Sequence, residues 1–348
     1  MKRVSLLALS AIMMLTSCES AHGPVQPTLV VVSYGGGTYQ QSQVTSFEKP
    51  FASSYHVDAQ SVVWGAEYGR LQEMVRSGSV PWDVVEVTAA QFARGKLDLL
   101  FEPLAELPSA NTFTAISADA APERFGVPNV YWSTVLAYKK QAYPNGGPQS
   151  WSDFWDVKRF PGPRALYDNP RATLEFALLA SGVPKDHLYP LNVDRAFAML
   201  DKIRPYVQLW WTDGTQPVNA LLAGTVTMSP AWSGRIFAVP QAQQEIGYTW
   251  NGAAQELDYW VIPKGSKNHK LANDFILFAS MPGPMAQQAT LTGYGPANTL
   301  AFGQVPASLQ SSLPTTKANW DTSFVVDSAW WSSHEAEITQ RWVRWRNK

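Results

Sequence analysis

The 348-residue sequence has one cysteine, Cys18. The rest of the chain therefore has no disulfide, no thiol nucleophile and no cysteine-based metal centre. Charge is scarce too: Asp, Glu, Lys and Arg make up 16% of the chain and nearly cancel, at a net −1. No basic stripe follows a nucleic-acid backbone, so no nucleic-acid partner is expected. After the first eighteen residues no apolar run approaches the roughly 20 residues that cross a bilayer. His22, His56, His187, His269 and His334 form no metal-spaced pair. Neither the Gly-x-Ser-x-Gly elbow nor the Gly-x-x-x-x-Gly-Lys-Ser/Thr loop occurs, and Gly35-Gly36-Gly37 lacks the dinucleotide spacing. The sequence holds no internal repeat, implies no metal or cofactor, and shows no catalytic set.

What is present begins at the N-terminus. Lys2 and Arg3 precede an apolar run from Val4 to Leu15, and Leu15-Thr16-Ser17-Cys18 follows. A basic start, a short apolar core and small residues at the cut make a secretory leader. The ending resembles the lipobox of bacterial lipoproteins. That likeness implies a leader over 1–17, a lipid on Cys18 and a tether over 18–27. It also implies anchorage on the periplasmic or cell-surface side, where stable attachment takes more than one acyl chain.

Beyond the tether the pattern alternates. Leu29 to Ser33 is a β-branched run typical of a strand buried on both faces, and Val57–Trp64 and Trp82–Val87 follow as strands. Between them lie helical stretches over 39–53, which Pro50 interrupts, and over 66–77 with Gly78 as cap. Strand, helix, strand, helix, strand is the signature of an open parallel α/β sheet, with ligands at the strand C-termini. Further strands are expected at 127–138, 225–228 and 259–262. Further helices are expected at 172–180, 193–203 after Asn192 as cap, 217–223, 270–280 and 285–291. Ser332 and Glu335 have the spacing of a capping box for the last helix, whose Trp331, Ile338, Trp342 and Trp345 form a docking stripe. Trp151-Ser152-Asp153-Phe154-Trp155 reads as a capped helix start rather than an acid–base pair. The chain's length favours two domains.

The order of several short segments resembles the spermidine/putrescine class of extracellular solute-binding proteins of bacterial ABC importers. They are Ser33-Tyr34-Gly35, Trp82-Asp83-Val84-Val85, Val127-Pro128 leading to Tyr131-Trp132-Ser133, Trp151-Ser152-Asp153-Phe154, Ala231-Trp232-Ser233-Gly234, Leu257 to Pro263, and Gly293 to Asn298. The likeness runs from Leu29 to about Trp345. It implies an α/β, two-lobed periplasmic-binding-protein (type II) fold. Each lobe is then an open, mostly parallel sheet flanked by helices, with the ligand cleft between them. By the same likeness, residues 28–134 and 259–302 form lobe 1, and 135–258 and 303–348 form lobe 2. The implied protein is a monomeric receptor, not an enzyme, that closes on a small amine solute of the putrescine or spermidine kind and hands it to a permease.

Carried over motif by motif, the resemblance implies that Tyr34, Trp232, Asp258 and Tyr294 hold the solute, with Trp132 beside them. Aromatic faces attract an alkylammonium, and Asp258 supplies a charge-assisted hydrogen bond. The departures lie at Asn169 and Ala172, where the family has acids, and at Glu256, where it has a Trp. Arg235 is an added cation. If it faces the solute, an amino-acid-like or opine-like amine is expected, since a guanidinium grips a carboxylate bidentately. If it pairs with Glu256 or another acid, the cleft is purely cation-selective. From a different class, a Trp-lined carbohydrate hydrolase would need two facing carboxylates, and Asp168 with Asp258 is the pair to nominate.

Overall fold

A computed structural model describes residues 26–35, 37–113, 121–240 and 245–348. The leader, Cys18 and most of the tether lie outside the described residues. Ten strands form one sheet: β1 Thr28–Tyr34, β2 Asp58–Trp64, β3 Val84–Thr88, β4 Val127–Lys139, β5 Arg164–Tyr167, β6 Val207–Trp211, β7 Met228–Trp232, β8 Ile246–Val261, β9 Gly295–Pro296 and β10 Phe324–Val325. Their order is β2-β1-β3-β8-β4-β7-β5-β6, with β9 on β4 and β10 on β8. β1, β2 and β3 run parallel, as do β5, β6 and β7. The long β4 and β8 pair antiparallel between the two groups. This is the two-lobed α/β architecture.

The apolar side chains explain the division. One core gathers Leu29, Val31, Val85, Tyr131, Trp260 and Phe275 around β1–β3. On the far side, Leu136, Phe154, Leu166, Phe176 and Trp331 build a second core, extended by Val135, Trp211, Ala231 and Ala253. Along β4 the change of side falls between Tyr131 and Val135, and along β8 between Ala253 and Leu257. Val305 and Leu313 pack in the first core, and Trp320 rests against it. The third passage between the cores thus comes later in the chain than residue 302.

Local signals explain much of the helical structure. Gly78 caps its helix at φ +70, and Asn192 Oδ1 accepts from Arg195 N at 3.0 Å. Ser150 caps the short helix Trp151–Trp155. Pro50 does not end the first helical stretch, because it occupies a first-turn position where no intrahelical donor is needed. The last helix departs from expectation. It runs Ser328–Arg346 and opens one turn earlier, with Asp327 Oδ1 accepting from Trp330 N at 2.8 Å. Ser332 instead donates to Ala329 O, and Glu335 reaches Arg171. The aromatic stripe Trp331, Ile338, Trp342 and Trp345 is buried in the second core. The strand expected at 225–228 starts only at Met228 and continues to Trp232.

Candidate functional site

The six strands of the two parallel groups, β1–β3 and β5–β7, point their C-terminal ends at one cavity of about 290 Å³. Such ends carry the loops that bind ligands in open α/β sheets. On the side of the first core stand Tyr34 at the end of β1 with Gly35 after it, Trp64 and Ala66 around the end of β2, Thr88 closing β3, and Tyr39 and Tyr294, which cluster with Val130. From the second come Tyr167, Thr212 and Asp213, Trp232, and Arg235 in the helix Ser233–Phe237. Trp132 on β4 and Asp258 on β8 line it from the crossing strands.

The walls are aromatic. Trp132 meets Trp232 edge to face, with centroids 5.8 Å apart, and Tyr167 meets the same indole at 6.0 Å. Tyr39 and Tyr294 are 5.7 Å apart, also edge on, and Tyr34 stacks on Trp64. Gly234 allows the approach of the two sides: a Cβ there would lie 2.5 Å from the Tyr294 ring.

The charges separate within this frame. Asp258 is 4% exposed and accepts from Trp132 Nε1 at 3.1 Å. Burial, then the charge of Glu86 nearby, push its carboxyl well above the usual carboxylate range. Glu86 itself is raised by burial, against the donors that reach it. The Tyr294 phenol is pushed up to about 12 by burial, with Arg235 opposing the shift. Arg235 sits on the other side of the cavity with its Nε buried and without a hydrogen-bond partner among the described residues. Its Nη2 reaches to within 3.9 Å of where a Cβ on Gly35 would lie. Asp213 feels the Arg235 charge, but its Oδ1 is taken by Thr215 N and Oγ1. The cavity can therefore offer a carboxylate at one point and a guanidinium at another.

Six of the eight residues singled out from the sequence share this cavity: Tyr34, Trp132, Trp232, Arg235, Asp258 and Tyr294. Glu256 and Asn169 do not line it. Glu256 pairs with Arg171 at 3.3 Å, and Arg171 also holds Glu335 at 3.2 Å. The pairing of Arg235 with Glu256 is therefore not formed. Asn169 accepts from Arg171 N at 2.9 Å, shaping the turn before the helix Thr173–Ala180. Asp168 lies off the cavity too; Arg346 Nε and Trp342 Nε1 both reach its Oδ1 at 2.9 Å. It does not face Asp258 as a hydrolytic pair would. Tyr39, Trp64, Thr88, Tyr167 and Asp213 were not singled out. Trp64, Thr88 and Tyr167 each end a strand, so the rule of strand C-termini is the signal that finds them.

The family model of the bacterial extracellular solute-binding protein matches residues 43–310. A gamma-aminobutyric acid-binding protein of Pseudomonas aeruginosa is 37% identical over 91% of this chain and 90% of its own. An ABC transporter substrate-binding protein from Bradyrhizobium japonicum superposes with a TM-score of 0.85 at 34% identity, covering 92% of this chain and 99% of that one. The binding protein AgtB of A. tumefaciens, solved with agropinic acid, gives a TM-score of 0.79 at 29% identity over 92% and 99%. The spermidine/putrescine-binding protein of Escherichia coli is more distant, at 27% identity over 51% of each chain. Sequence, fold and cavity agree, and the chain belongs to the bacterial extracellular solute-binding protein family of ABC importers.

Proposed function

We propose that this receptor captures a small zwitterionic amine, of the gamma-aminobutyric acid or opine kind, rather than a polyamine. The observation that carries this reading is the charge separation in one aromatic cavity: Asp258 for an ammonium and Arg235, whose Nε has no hydrogen-bond partner among the described residues, for a carboxylate. A polyamine brings two or more cations and no anion, and like charges in a partly dry site repel. Arg235 would then oppose binding. The names of the relatives point the same way: the gamma-aminobutyric acid binder matches nearly the whole chain, and the polyamine binder half of it.

In this reading, the two lobes, one built around β1–β3 and the other around β5–β7, close on the solute. Tyr34 and Tyr294 approach from one lobe and Trp232 from the other. Closure follows because only the closed state lets both walls touch the ligand. A monomer tethered through a lipidated Cys18 then delivers the solute to its permease. Calorimetry with gamma-aminobutyric acid, an opine, putrescine and spermidine is the test. Tight binding of a zwitterionic amine is expected. Nanomolar spermidine binding with no response to gamma-aminobutyric acid or the opine would reject the proposal.

A further inference from the structure

Two tyrosines of the cavity have spent their hydroxyl hydrogens facing away from a solute. Tyr39 Oη donates to Glu86 Oε1 at 2.6 Å, and Tyr34 Oη donates to Gln91 Oε1 at 3.2 Å. A phenol has one proton, so each oxygen has only lone pairs left to offer. Glu86 does not line the cavity; it is fully buried one layer behind it. It also accepts from Asn129 Nδ2 at 2.6 Å and from Gln43 Nε2 at 3.3 Å. In the β3–β8 ladder Glu86 lies opposite Trp260 and Thr88 opposite Asp258. Glu86 and Asp258 are therefore diagonal neighbours on one face of the sheet. These partners are neutral donors rather than cations, and the backbone N–H of Tyr34 joins them.

We infer that Glu86 is a specificity-determining positioning residue: by holding the Tyr39 proton it turns that wall into a hydrogen-bond acceptor, so the cavity selects amines that carry N–H donors over quaternary ones. The inference rests on the zwitterionic-amine reading above. Aromatic faces and a single carboxylate would serve a quaternary ammonium as well as a primary one. Acceptor oxygens aimed by a second layer serve only a cation with hydrogens to give. Tyr34, held by Gln91, adds to the same wall. Gln91 also accepts from Thr88 N at 3.1 Å and donates to Ala66 O at 2.8 Å, tying three lining segments together.

The test compares gamma-aminobutyric acid with its N,N,N-trimethyl analogue by calorimetry, on the wild type, Tyr39→Phe and Glu86→Gln. The amide is a weaker acceptor than the carboxylate and brings an N–H2 that competes for the same neighbours, so its hold on the Tyr39 hydrogen is loosened. Loss of the Glu86 charge weakens both cations alike, so the affinity ratio isolates the hydrogen-bond effect. The wild type should prefer the primary amine at least tenfold. Either variant should cut that ratio roughly tenfold, the size of one hydrogen bond to a charged group. If Glu86→Gln does not fold, Tyr39→Phe carries the test alone. A wild-type ratio near one, or a ratio that neither variant changes, overturns the inference while leaving the amine site standing. If the wild type binds neither compound, the zwitterionic-amine reading falls and takes the inference with it.

Discussion

Arg171 and Arg235 are the same side chain used in opposite ways. Arg171 is paired twice, with Glu256 on β8 and Glu335 on the last helix, and lies 5.8 Å from the Trp331 ring. Its charge is spent within the fold, and its pKa is raised because the neighbouring glutamates outweigh desolvation. Arg235 reaches the cavity with a buried Nε that no described residue accepts from. A guanidinium with an unfilled buried donor is one that a solute can satisfy. Removing Arg171 should therefore damage the fold, and removing Arg235 should damage binding.

Predictions that break or sharpen this contrast run from large to small. Arg171→Ala strands Glu256 as a buried charge and should cost about 3–5 kcal/mol of stability, read by urea unfolding. Arg235→Ala should leave the unfolding midpoint nearly unchanged. Equal losses from the two variants would erase the distinction.

Acid should sharpen it. Burial raises Glu256 to about 7 even beside Arg171, and raises Glu48 to about 7 where Ser61 is its donor. A carboxyl raised in the fold adds stability that is complete below its unfolded value near 4.5. That stability is lost as pH rises through about 7. For Glu48 the difference amounts to on the order of 3 kcal/mol. The unliganded protein should then melt higher at pH 5.5 than at pH 8. The deficit of Arg171→Ala should shrink at pH 5.5, because a neutral Glu256 needs no partner. Asp168, lowered mainly by Arg346 and Trp342 against its own desolvation, acts in the opposite direction only near its ordinary value and below. A flat stability profile between pH 5.5 and 8 would contradict both expectations.

Binding comes next. Asp258→Asn should cost about 1.5–3 kcal/mol of amine affinity, and Arg235→Ala a similar amount for a zwitterion. Arg235→Ala should do no harm to a simple diamine. Isothermal titration separates the two, and a diamine weakened as much as a zwitterion would show that Arg235 does not read the carboxylate. The smallest effect concerns the helix that carries Glu335. Asp327→Ala should lower stability by about 1 kcal/mol, as loss of an N-cap does. Ser332→Ala, inside the helix, should stay within about 0.5 kcal/mol. Thermal denaturation of the pair decides which residue opens the helix.

Legibility from sequence followed the range of the interaction. Asn192, Gly78 and the run Leu29–Ser33 act within a few residues, so their helix cap, helix end and buried strand were readable. The error at Ser332 has the same source: its spacing to Glu335 fits a capping box, but Asp327, one turn earlier, is the residue whose oxygen meets a free N–H. Six cavity residues were legible through the order of short motifs. Asn169 spends its oxygen on the local turn to Arg171 N, and Glu256 was misplaced because the Arg171 guanidinium claims it. No local pattern announces a partner 85 residues away.

By itself the sequence determined the alternation of strands and helices, the absence of thiol chemistry and the stock of aromatic and charged side chains near the strand ends. Burial patterns and caps are properties of short segments, so they survive without the fold. Tertiary structure alone decided which acid neutralises which arginine, and that Glu86 stands behind Tyr39. Those outcomes depend on segments far apart in the chain meeting: the turn after β5 and the last helix at β8, and the helix Gly37–Gln43 at β3. A charge acquires its role only from the partner that such a meeting brings within reach.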